Sequence, residues 1–500
     1  MAYSHYDRLT ALDATFLELE DPNVHMHVGS VGIFDARPLR KPDGGIDIDR
    51  ICALSESALR RHPRFRQKLA YIPLLNHPVW VDDHRFNLSY HLRHTSLGIP
   101  GDVRRLKRLA GRIMSQKLDR GKPLWEMWFV DGVEDDRFAV ITKIHHCMID
   151  GLSGVDLMSS LMRADPDAGV GSPHPWIPRP VPGPYDLLRG ELRRRLSLPL
   201  DTFRAGRRAV AQPSRTYESI VSGIEGVGEA IWAGLKPASP TPLNPAIGPH
   251  RRFDWARVDL DAVKQIKSRL GGTINDVVLA VVAGTIRRFL RGRGLRVEDL
   301  DFRSMVPVSI RAPSERGRLG NRVSFLLARL PLDEKDPRER LRRVIETTHE
   351  LKDSKEVQGA EIIEQISDWT FTSLFVQFTR LAAQALSYNM VVTNVPGPQF
   401  PVYLLGAKML ETYPLVPLFS NQALGIALFS YDGGLFWGFN SDWDALPDLH
   451  EIVEALEQEF ASLAKAAEIV PITGTTAQRR SARHGHPRRR VKRAAKRAPA

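Results

Sequence analysis

The sequence has little cysteine, with only Cys52 and Cys147 in 500 residues. Two isolated thiols exclude a disulfide framework and give no zinc-site spacing, and they fit a reducing cytoplasm. No apolar stretch of about eighteen residues occurs, so no membrane-spanning helix is predicted. The first residues carry His, Asp and Arg instead of an apolar run, so no secretion signal is predicted. We expect a cytoplasmic protein without a metal site.

Acidic residues are missing from the segment 479–497, which carries ten basic residues. The formal net charge of the whole chain is +12, so only about +2 remains for the rest. This balance argues against a protein dedicated to nucleic acid, and we expect no specific nucleic-acid partner. The basic tail would be attracted to anionic lipid headgroups, but a solvated, disordered terminus without a partner fits it equally well.

The rest of the chain has an ordinary globular composition, with 43% apolar and 26% charged residues. Its length is enough for two domains with buried cores. Changes in composition predict four parts: an N-terminal domain (1–164), a Pro-rich and basic helical linker (165–250), a C-terminal domain (251–470) and a disordered basic tail (471–500). Both domains are predicted to mix helices and strands, so the predicted fold class is α/β, built as two similar two-layer α+β halves.

Hydrophobic periodicity predicts individual elements in both domains. In the N-terminal domain it predicts helices over 10–19 and 151–162 and strands over 27–34 and 138–144. In the C-terminal domain it predicts helices over 261–270, 274–290 and 449–467 and strands over 303–310, 323–330 and 436–440. The linker segment 185–211 mixes leucines with arginines, and it fits either a basic helix pair on a membrane surface or a connecting helix whose leucines face the protein.

A double histidine follows the strand predicted over 138–144, in the segment His145-His146-Cys147-Met148-Ile149-Asp150-Gly151. Adjacent residues on a strand point to opposite faces, so at most one imidazole can face a given site. An imidazole with a pKa of about 6.5 can accept a proton at neutral pH. The segment therefore predicts a general base that activates a hydroxyl or amine for attack on a thioester.

Other chemistries fit this segment less well. Zinc-binding histidines are usually about three to five residues apart, and the Gly-x-Ser-x-Gly turn of serine hydrolases does not occur. Adjacency of Cys147 to a histidine does not make a catalytic pair. Asp150 could orient a histidine or bind an arginine that holds the loop, and we favour the second role because the first requires a sharp reversal. Gly151 permits a positive φ or a close backbone approach.

Residues 145–151 resemble the motif of the coenzyme-A-dependent acyltransferase superfamily, which includes chloramphenicol acetyltransferase and condensation domains. The rest of the chain is similar to one branch of it, the bacterial wax ester synthase/diacylglycerol acyltransferases. This resemblance covers nearly the whole sequence. It rests on an opening segment, a Pro-Leu-Trp motif, the start of the second domain, an Asn-Asp motif, two central segments and a late loop: 9–16, 123–126, 243–252, 275–276, 307–311, 320–321 and 394–398.

The resemblance implies two chloramphenicol-acetyltransferase-like domains with an active-site tunnel between them. It implies transfer of a long fatty acyl group from acyl-CoA, a co-substrate, to diacylglycerol or a fatty alcohol, without a bound cofactor. It assigns the general base to His146, a supporting role to His145, and a loop-holding role to Asp150 beside Gly151. It also suggests Arg66 as the arginine that pairs with Asp150.

The resemblance also suggests substrate-binding residues. Asn275 could hydrogen-bond the thioester or its oxyanion, although a place in the first turn of a helix capped by Thr273 fits it equally well. Asp276 is grouped with Asn275, and Trp125 is expected to pack near the entrance of the site. Asn394 is expected in a turn.

The sequence leaves several functions open. The expected role is in triacylglycerol biosynthesis, and thus in lipid and glycerol metabolism, with peripheral association at the inner membrane face or at lipid inclusions. One alternative is a carrier-protein-dependent condensation or esterification enzyme of the same fold. Another is a poorly active protein that binds lipid or polyanions. The acceptor alcohol, the acyl chain length and the oligomeric state are not determined.

Overall fold

The computed structural model describes seven ranges of the chain: 6–42, 44–148, 160–167, 176–194, 237–309, 323–353 and 387–469. In these ranges, helices pack against two six-stranded sheets and one three-stranded sheet. This mixed architecture confirms the predicted α/β class.

The first half of the chain contributes the small sheet and most of one large sheet. Its strands are β1 (Asp7–Arg8), β2 (His27–Asp35), β3 (Gln67–Ile72), β4 (His77–Asp82), β5 (Leu92–Ser96), β6 (Trp125–Val133) and β7 (Arg137–His145). Its helices are α1 (Ala11–Leu19), α2 (Ile48–Leu59), α3 (Leu88–His91) and α4 (Val103–Met114). A short 3-10 helix, His146–Met148, follows β7 directly.

The second half contributes the other large sheet and its helices. Its strands are β8 (Arg251–Asp259), β9 (Arg303–Ser309), β10 (Val323–Arg329), β11 (Met390–Pro396), β12 (Tyr403–Leu404), β13 (Ala407–Leu415), β14 (Leu424–Tyr431) and β15 (Gly434–Asp442). Its helices are α5 (Leu260–Leu270), α6 (Ile274–Gly292), α7 (Pro337–Asp353) and α8 (Leu449–Ala466).

The first large sheet contains strands from both halves of the chain. Its order is β12-β13-β2-β7-β6-β5, whereas the second large sheet has the order β10-β9-β11-β14-β15-β8 and the small sheet β1-β4-β3. β13 pairs antiparallel with β2, and Tyr413 lies opposite Val31. The predicted boundary near residue 251 therefore does not separate the two large sheets in space.

The two large apolar cores also draw on both halves. The core of the second sheet includes Val24 and Met26, which precede β2. The core of the first sheet includes Phe253 and Trp255 of β8. Phe16 of α1 packs against both cores. The region around Phe16 and Met26, where the two cores meet, is called the seam below.

Most predicted elements are confirmed, with ends shifted by a few residues. They correspond to α1, β2, β7, α5, α6, β9, β10, β15 and α8. The helix predicted over 151–162 lies outside the described residues except for 160 and 161, which are helical. The predicted tail, 471–500, also lies outside them.

In the linker, residues 184–194 are helical. Leu187 is 4% exposed and packs on the small sheet beside Ile72 and Val81. This part of the linker therefore behaves as a connecting helix that faces the protein, one of the two predicted alternatives. Residues 195–211 lie outside the described ranges.

No single helix in the described ranges has the length and hydropathy of a membrane span. α5 and α6 meet that test only together, as a pair bent by 98°. Both helices contribute to the core of the second sheet, where Ile266 and Val282 are fully buried.

Candidate active site

The double histidine lies where β7 ends and the 3-10 helix begins. β7 runs between β2 and β6 in the first sheet, and His145 lies opposite His27 of β2. The backbone N–H of His146 donates to the Met26 carbonyl at 2.7 Å. The turn is therefore held by the sheet on one side and by the seam on the other.

The His146 imidazole is half-buried and lies against the Phe16 ring, with ring centroids 3.9 Å apart. Because Phe16 packs on both cores, this imidazole lies at the seam. Its Nδ1 atom is buried and has no hydrogen-bond partner among the described residues. Burial lowers the pKa of His146 from 6.5 to about 4, and a contact with its own backbone opposes this only in part. The ring is therefore neutral at physiological pH and can accept a proton.

His145 is 1% exposed, and its ring lies beside that of His27, with centroids 6.0 Å apart. Its Nδ1 accepts a hydrogen bond from the Cys147 backbone N–H at 3.2 Å, so its proton is on Nε2. Burial holds the pKa of His145 well below its usual value. The two adjacent rings have different neighbours, Phe16 for His146 and the Cys147 backbone for His145, and this geometry assigns His145 to support of the turn.

A buried polar cluster lies behind His145. The Glu20 Oε1 atom is 3.8 Å from His145 Nε2 and 3.6 Å from His27 Nε2. These three atoms are buried and have no hydrogen-bond partner within the described ranges. The other Glu20 oxygen, Oε2, accepts from Arg120 Nη2 at 2.9 Å. Glu20, His27, His145 and Arg120 are named the Glu20 cluster below.

Sequence reasoning missed this cluster, except for His145. A glutamate at the end of a helix and a histidine at the start of a strand are ordinary surface residues in a sequence. Only the pairing of β2 with β7 and the return of α1 over the turn bring Glu20, His27 and His145 together. Their burial distinguishes them, and burial is not visible from spacing.

Cys147 completes the turn but is unsuited to nucleophilic catalysis. It is 2% exposed, and its Sγ lies 3.0 Å from His145 Nδ1. Burial raises the pKa of the Cys147 thiol well above its usual value, so the thiolate is not populated at neutral pH. Within the described ranges, no group of three or more His, Cys, Asp or Glu side chains is arranged to hold a metal ion.

The Asn-Asp motif opens α6 in the second half of the chain. Thr273 caps the helix: its Oγ1 accepts from the Asp276 backbone N–H at 3.3 Å, and Asp276 Oδ2 accepts from the Thr273 N–H at 2.7 Å. The other oxygen, Asp276 Oδ1, accepts from Thr348 Oγ1 of α7 at 2.7 Å. Both oxygens are therefore used to begin α6 and to join it to α7. This geometry gives Asp276 a structural role instead of the predicted substrate contact.

Asn275 contacts Asn394, so two of the motifs meet. Asn394 Nδ2 donates to Asn275 Oδ1 at 2.8 Å, and Asn394 Oδ1 is buried without a partner in the described ranges. Asn394 lies within β11, opposite Leu428 of β14, so the expectation of a turn is wrong. A cavity of about 20 Å³ beside Asn275 has room for one water molecule. The predicted contact of Asn275 with substrate stays a prediction.

Trp125 is a core residue, and the prediction that it lies near the entrance is wrong. It is 1% exposed, and its Nε1–H donates to the Phe65 carbonyl at 2.8 Å. Its ring stacks on His91, with centroids 4.6 Å apart. A ring with its only donor satisfied is stable in the interior, which explains this position.

Arg66 is 5% exposed and lies between aromatic rings. Its guanidinium carbon is 5.1 Å from the Trp176 ring centroid and 5.7 Å from that of Phe86. Asp150, its predicted partner, and Gly151 lie outside the described residues. The pairing of Arg66 with Asp150 and the loop role of Gly151 therefore stay predictions.

Two family models match the sequence. The model of the wax ester synthase/diacylglycerol acyltransferase catalytic domain matches residues 9–278, and that of the WS/DGAT C-terminal domain matches residues 319–464. The chain belongs to the wax ester synthase/diacylglycerol acyltransferase family. It is therefore an acyltransferase, and the catalytic-domain model contains both the His146 turn and the start of α6.

Relatives of similar length support this membership. A Mycobacterium tuberculosis protein provisionally named a diacylglycerol O-acyltransferase is 33% identical, over 93% of this chain and 91% of its own length. A Mycobacterium bovis protein with the same provisional name is 31% identical, over 91% of this chain and 96% of its own length.

Solved structures share the architecture. The wax ester synthase/diacylglycerol acyltransferase from Marinobacter aquaeolei VT8 is 26% identical, with a TM-score of 0.64 over 92% of this chain and 100% of that chain. The trichothecene 15-O-acetyltransferase from Fusarium sporotrichioides is 13% identical, with a TM-score of 0.59 over 92% of this chain and 95% of that chain. The starter condensation domain of rhizomide synthetase is 11% identical, with a TM-score of 0.55 over 93% and 95%. The last two show the fold alone, and together these structures confirm the predicted chloramphenicol-acetyltransferase-like fold.

Proposed function

We propose that this acyltransferase moves a long-chain fatty acyl group from acyl-CoA to the hydroxyl of diacylglycerol, which makes triacylglycerol. A fatty alcohol is the second proposed acceptor, and its product is a wax ester. Membership of the family supports the reaction. The observation that carries the mechanism is the neutral, half-buried His146 imidazole at the seam between the two cores.

His146 is the proposed general base. Its ring accepts the proton of the alcohol hydroxyl while the oxygen attacks the thioester carbonyl carbon, which forms a tetrahedral oxyanion. The oxyanion collapses, the carbon–sulfur bond breaks, and the imidazolium returns the proton to the sulfur of coenzyme A. Because Nδ1 of His146 is buried, Nε2 is the nitrogen assigned to this exchange.

Direct transfer needs no acyl-enzyme and no bound cofactor. Cys147, the thiol nearest to His146 in sequence, is buried and protonated, which supports direct transfer. Asn275 is proposed to help position the thioester, since its amide is fixed by Asn394.

Purified protein with a long-chain acyl-CoA and diolein tests this function. We expect triacylglycerol on thin-layer chromatography and one equivalent of free coenzyme A for each ester formed. A fatty alcohol in place of diolein should give a wax ester. Absence of any ester with either acceptor, while the protein is folded, would overturn the proposed reaction.

The same assay separates the carrier-dependent rival. A condensation enzyme would need its acyl group on a carrier protein, so it would release no coenzyme A from acyl-CoA and alcohol alone. A lipid-binding protein without activity would retain diolein and release no coenzyme A. The name of the Marinobacter relative includes both activities, which supports diacylglycerol and a fatty alcohol as the two acceptors to test.

We also propose peripheral association with the cytoplasmic membrane face or with lipid inclusions, in support of triacylglycerol biosynthesis. The water-insoluble acceptor and the basic segment 479–497 support this location. Cell fractionation of the full chain tests it: recovery of all the protein with the cytosol at low salt would contradict it.

A further inference from the structure

Helix α4 carries three arginines on one exposed face. Arg104, Arg108 and Arg112 are four residues apart, so their side chains lie above one another on the helix surface. All three are exposed, and none has a hydrogen-bond or ion-pair partner among the described residues. These three residues are named the arginine row. The opposite face of α4 is buried through Leu106, Ala110 and Ile113, so the row cannot turn inward.

The folded chain gains little from this row. Like charges four residues apart on a helix repel each other. Arg104 is in the first turn, where the helix dipole disfavours a cation; the N-cap carboxylate of Asp102 lies at this end but pairs with the Arg105 backbone N–H. Arg112, in the last turn, is placed favourably. Because the described residues supply no counter-ion to these exposed guanidinium groups, the row is available to an external anion.

An exposed apolar residue adjoins the start of α4. Ile99 is 96% exposed, at the tip of the loop between β5 and α4. This loop is ordered: Arg105 Nη1 donates to the Gly98 and Ile99 carbonyls at 2.6 Å, and the Gly101 N–H donates to the Gly98 carbonyl at 2.9 Å. Arg105 therefore shapes the loop and is separate from the arginine row.

A hydrogen bond joins α4, the helix of the arginine row, to β7, the strand that leads to His146. Lys143 of β7 donates from its buried Nζ to the Ile113 carbonyl in the last turn of α4, at 3.1 Å. Three residues beyond Lys143 is His146. The N–H of Arg251, in β8, donates to Ser115 Oγ at the end of the same helix, at 2.8 Å. α4 is thus a rigid element fixed to both halves of the chain.

We propose that the arginine row and Ile99 form a docking surface for an anionic phospholipid surface. Guanidinium groups bind lipid phosphates, and each near-surface cation strengthens binding about fivefold. Ile99 would enter the interfacial layer, as an apolar residue beside a cationic row does in peripheral proteins. This surface deepens the proposed membrane association, and it is distinct from the basic segment 479–497.

Vesicle flotation of the full chain tests the surface, with phosphatidylcholine vesicles that contain or lack phosphatidylglycerol. The variant Arg104→Gln/Arg108→Gln/Arg112→Gln should bind the anionic vesicles about a hundredfold more weakly than the unchanged protein. The control Arg60→Gln/Arg61→Gln/Arg85→Gln removes the same charge from other exposed positions and should lose less than about fivefold. Ile99→Ser should weaken binding at high salt, where the arginines are screened.

Equal binding by the row variant and its control would overturn the proposal, because another surface or the terminal segment would then support binding. A raised KM for acyl-CoA in detergent micelles, with flotation unchanged, would also overturn it and assign the row to the phosphates of coenzyme A. Ester formation in micelles shows that each variant is folded. Failure of the docking surface is therefore distinguishable from failure of the proposed reaction, which would abolish ester formation in the unchanged protein too.

Discussion

The turn after β7 and the first turn of α6 both carry residues that resemble family motifs. The two turns differ in how many of their buried polar atoms are hydrogen-bonded. At the start of α6, both oxygens of Asp276 are hydrogen-bonded to Thr273 and Thr348. Around the turn, Nδ1 of His146 and Nε2 of His145 are buried without partners in the described ranges. Satisfied groups stabilise a fold, whereas a buried polar group without a partner costs free energy and calls for an explanation, which is catalysis at some positions and an ordered water at others.

This contrast distinguishes a residue that stabilises the fold from a candidate catalytic residue, which motif resemblance alone does not do. The motif resemblance assigns His146 as the general base and suggests Asp276, grouped with Asn275, as a substrate-binding residue. By hydrogen bonding, both oxygens of Asp276 hold the start of α6 and join it to α7. The His146 imidazole instead lies against Phe16 at the seam, and its Nδ1 holds no other described residue. The four predictions below test that division, from the largest expected effect to the smallest.

Removal of the His146 imidazole should have the largest effect on catalysis. We expect His146→Ala to lower kcat/KM by about 10²- to 10⁴-fold, because the alcohol loses its proton acceptor. The melting temperature should fall only modestly: the ring loses its contact with Phe16, but no hydrogen bond of Nδ1 to a described residue is broken. Steady-state release of coenzyme A measures the first and thermal unfolding the second. A variant that retains a tenth of the activity would refute the general-base assignment.

Removal of the Asp276 carboxylate should affect stability instead. Asp276→Ala should lower the free energy of unfolding by about 2–3 kcal/mol, because α6 loses its capping box and the bond to Thr348. Asp261→Ala is the matched control: Asp261 is in the first turn of α5, but it is exposed, and among the described residues its side chain pairs only with Lys264. The control should lose less than about 0.5 kcal/mol. Denaturant unfolding measures both, and a large loss of kcat per folded molecule in Asp276→Ala would contradict its structural role.

The Glu20 cluster should have an intermediate effect on turnover. Glu20→Gln should lower kcat about tenfold, because the carboxylate that faces His145 and His27 is lost and the His146 turn is less well positioned. KM should stay nearly constant, since Glu20 is buried behind the turn and is not assigned to substrate. Glu18→Gln, on the exposed face of the same helix, is the control. A rise in KM with unchanged kcat would show that the cluster shapes the binding site instead.

The pH dependence should show the smallest effect. An ordinary histidine base, with a pKa of about 6.5, would lose about tenfold in kcat/KM by pH 5.5. Burial lowers the pKa of His146 to about 4, so its neutral form persists as the pH falls, and kcat/KM should change less than about twofold between pH 5.5 and 7.5. A loss centred on pH 6.5 would show that His146 is solvated during the reaction.

The same pH range has a separate consequence for stability. Burial also lowers the pKa values of His25 and His77 to about 4. Between about pH 6.5 and 4 the unfolded chain therefore binds more protons than the native protein, and stability falls as the pH falls. The rates must be measured over times in which the protein stays folded, which unfolding curves at each pH establish.

Local patterns were enough to predict much of the fold. Helices α1, α6 and α8 and strands β2 and β7 follow from the spacing of apolar residues, since periodicity is a property of neighbours in sequence. Strand alternation predicts that adjacent histidines face opposite sides, but β7 ends at His145 and His146 already lies in the 3-10 helix. The choice of His146 over His145 rested on the resemblance to the family, and the structure supports it through the burial of one ring and the seam position of the other.

Some predictions failed because they depended on distant partners. Trp125 was placed near an entrance and is in the core, because Phe65 and His91 satisfy its ring. Asn394 was expected in a turn and lies in β11, because β14 pairs with it on one side. Turn-forming residues such as Asn adopt extended backbone when neighbouring strands supply the hydrogen bonds.

The sequence by itself determined most helices and strands and the family, because apolar periodicity and each family motif are read from residues close together in the chain. It also supplied the segment of the proposed base, residues 145–151. Tertiary structure alone decided that β13 pairs with β2 in the first sheet and that Glu20 lies beside His27 and His145. It also decided that Asp276 joins α6 to α7. These depend on contacts between residues that are tens to hundreds of positions apart. Such contacts form when whole layers of helices and strands pack together, because the same packing buries apolar side chains and brings buried polar atoms to their hydrogen-bond partners.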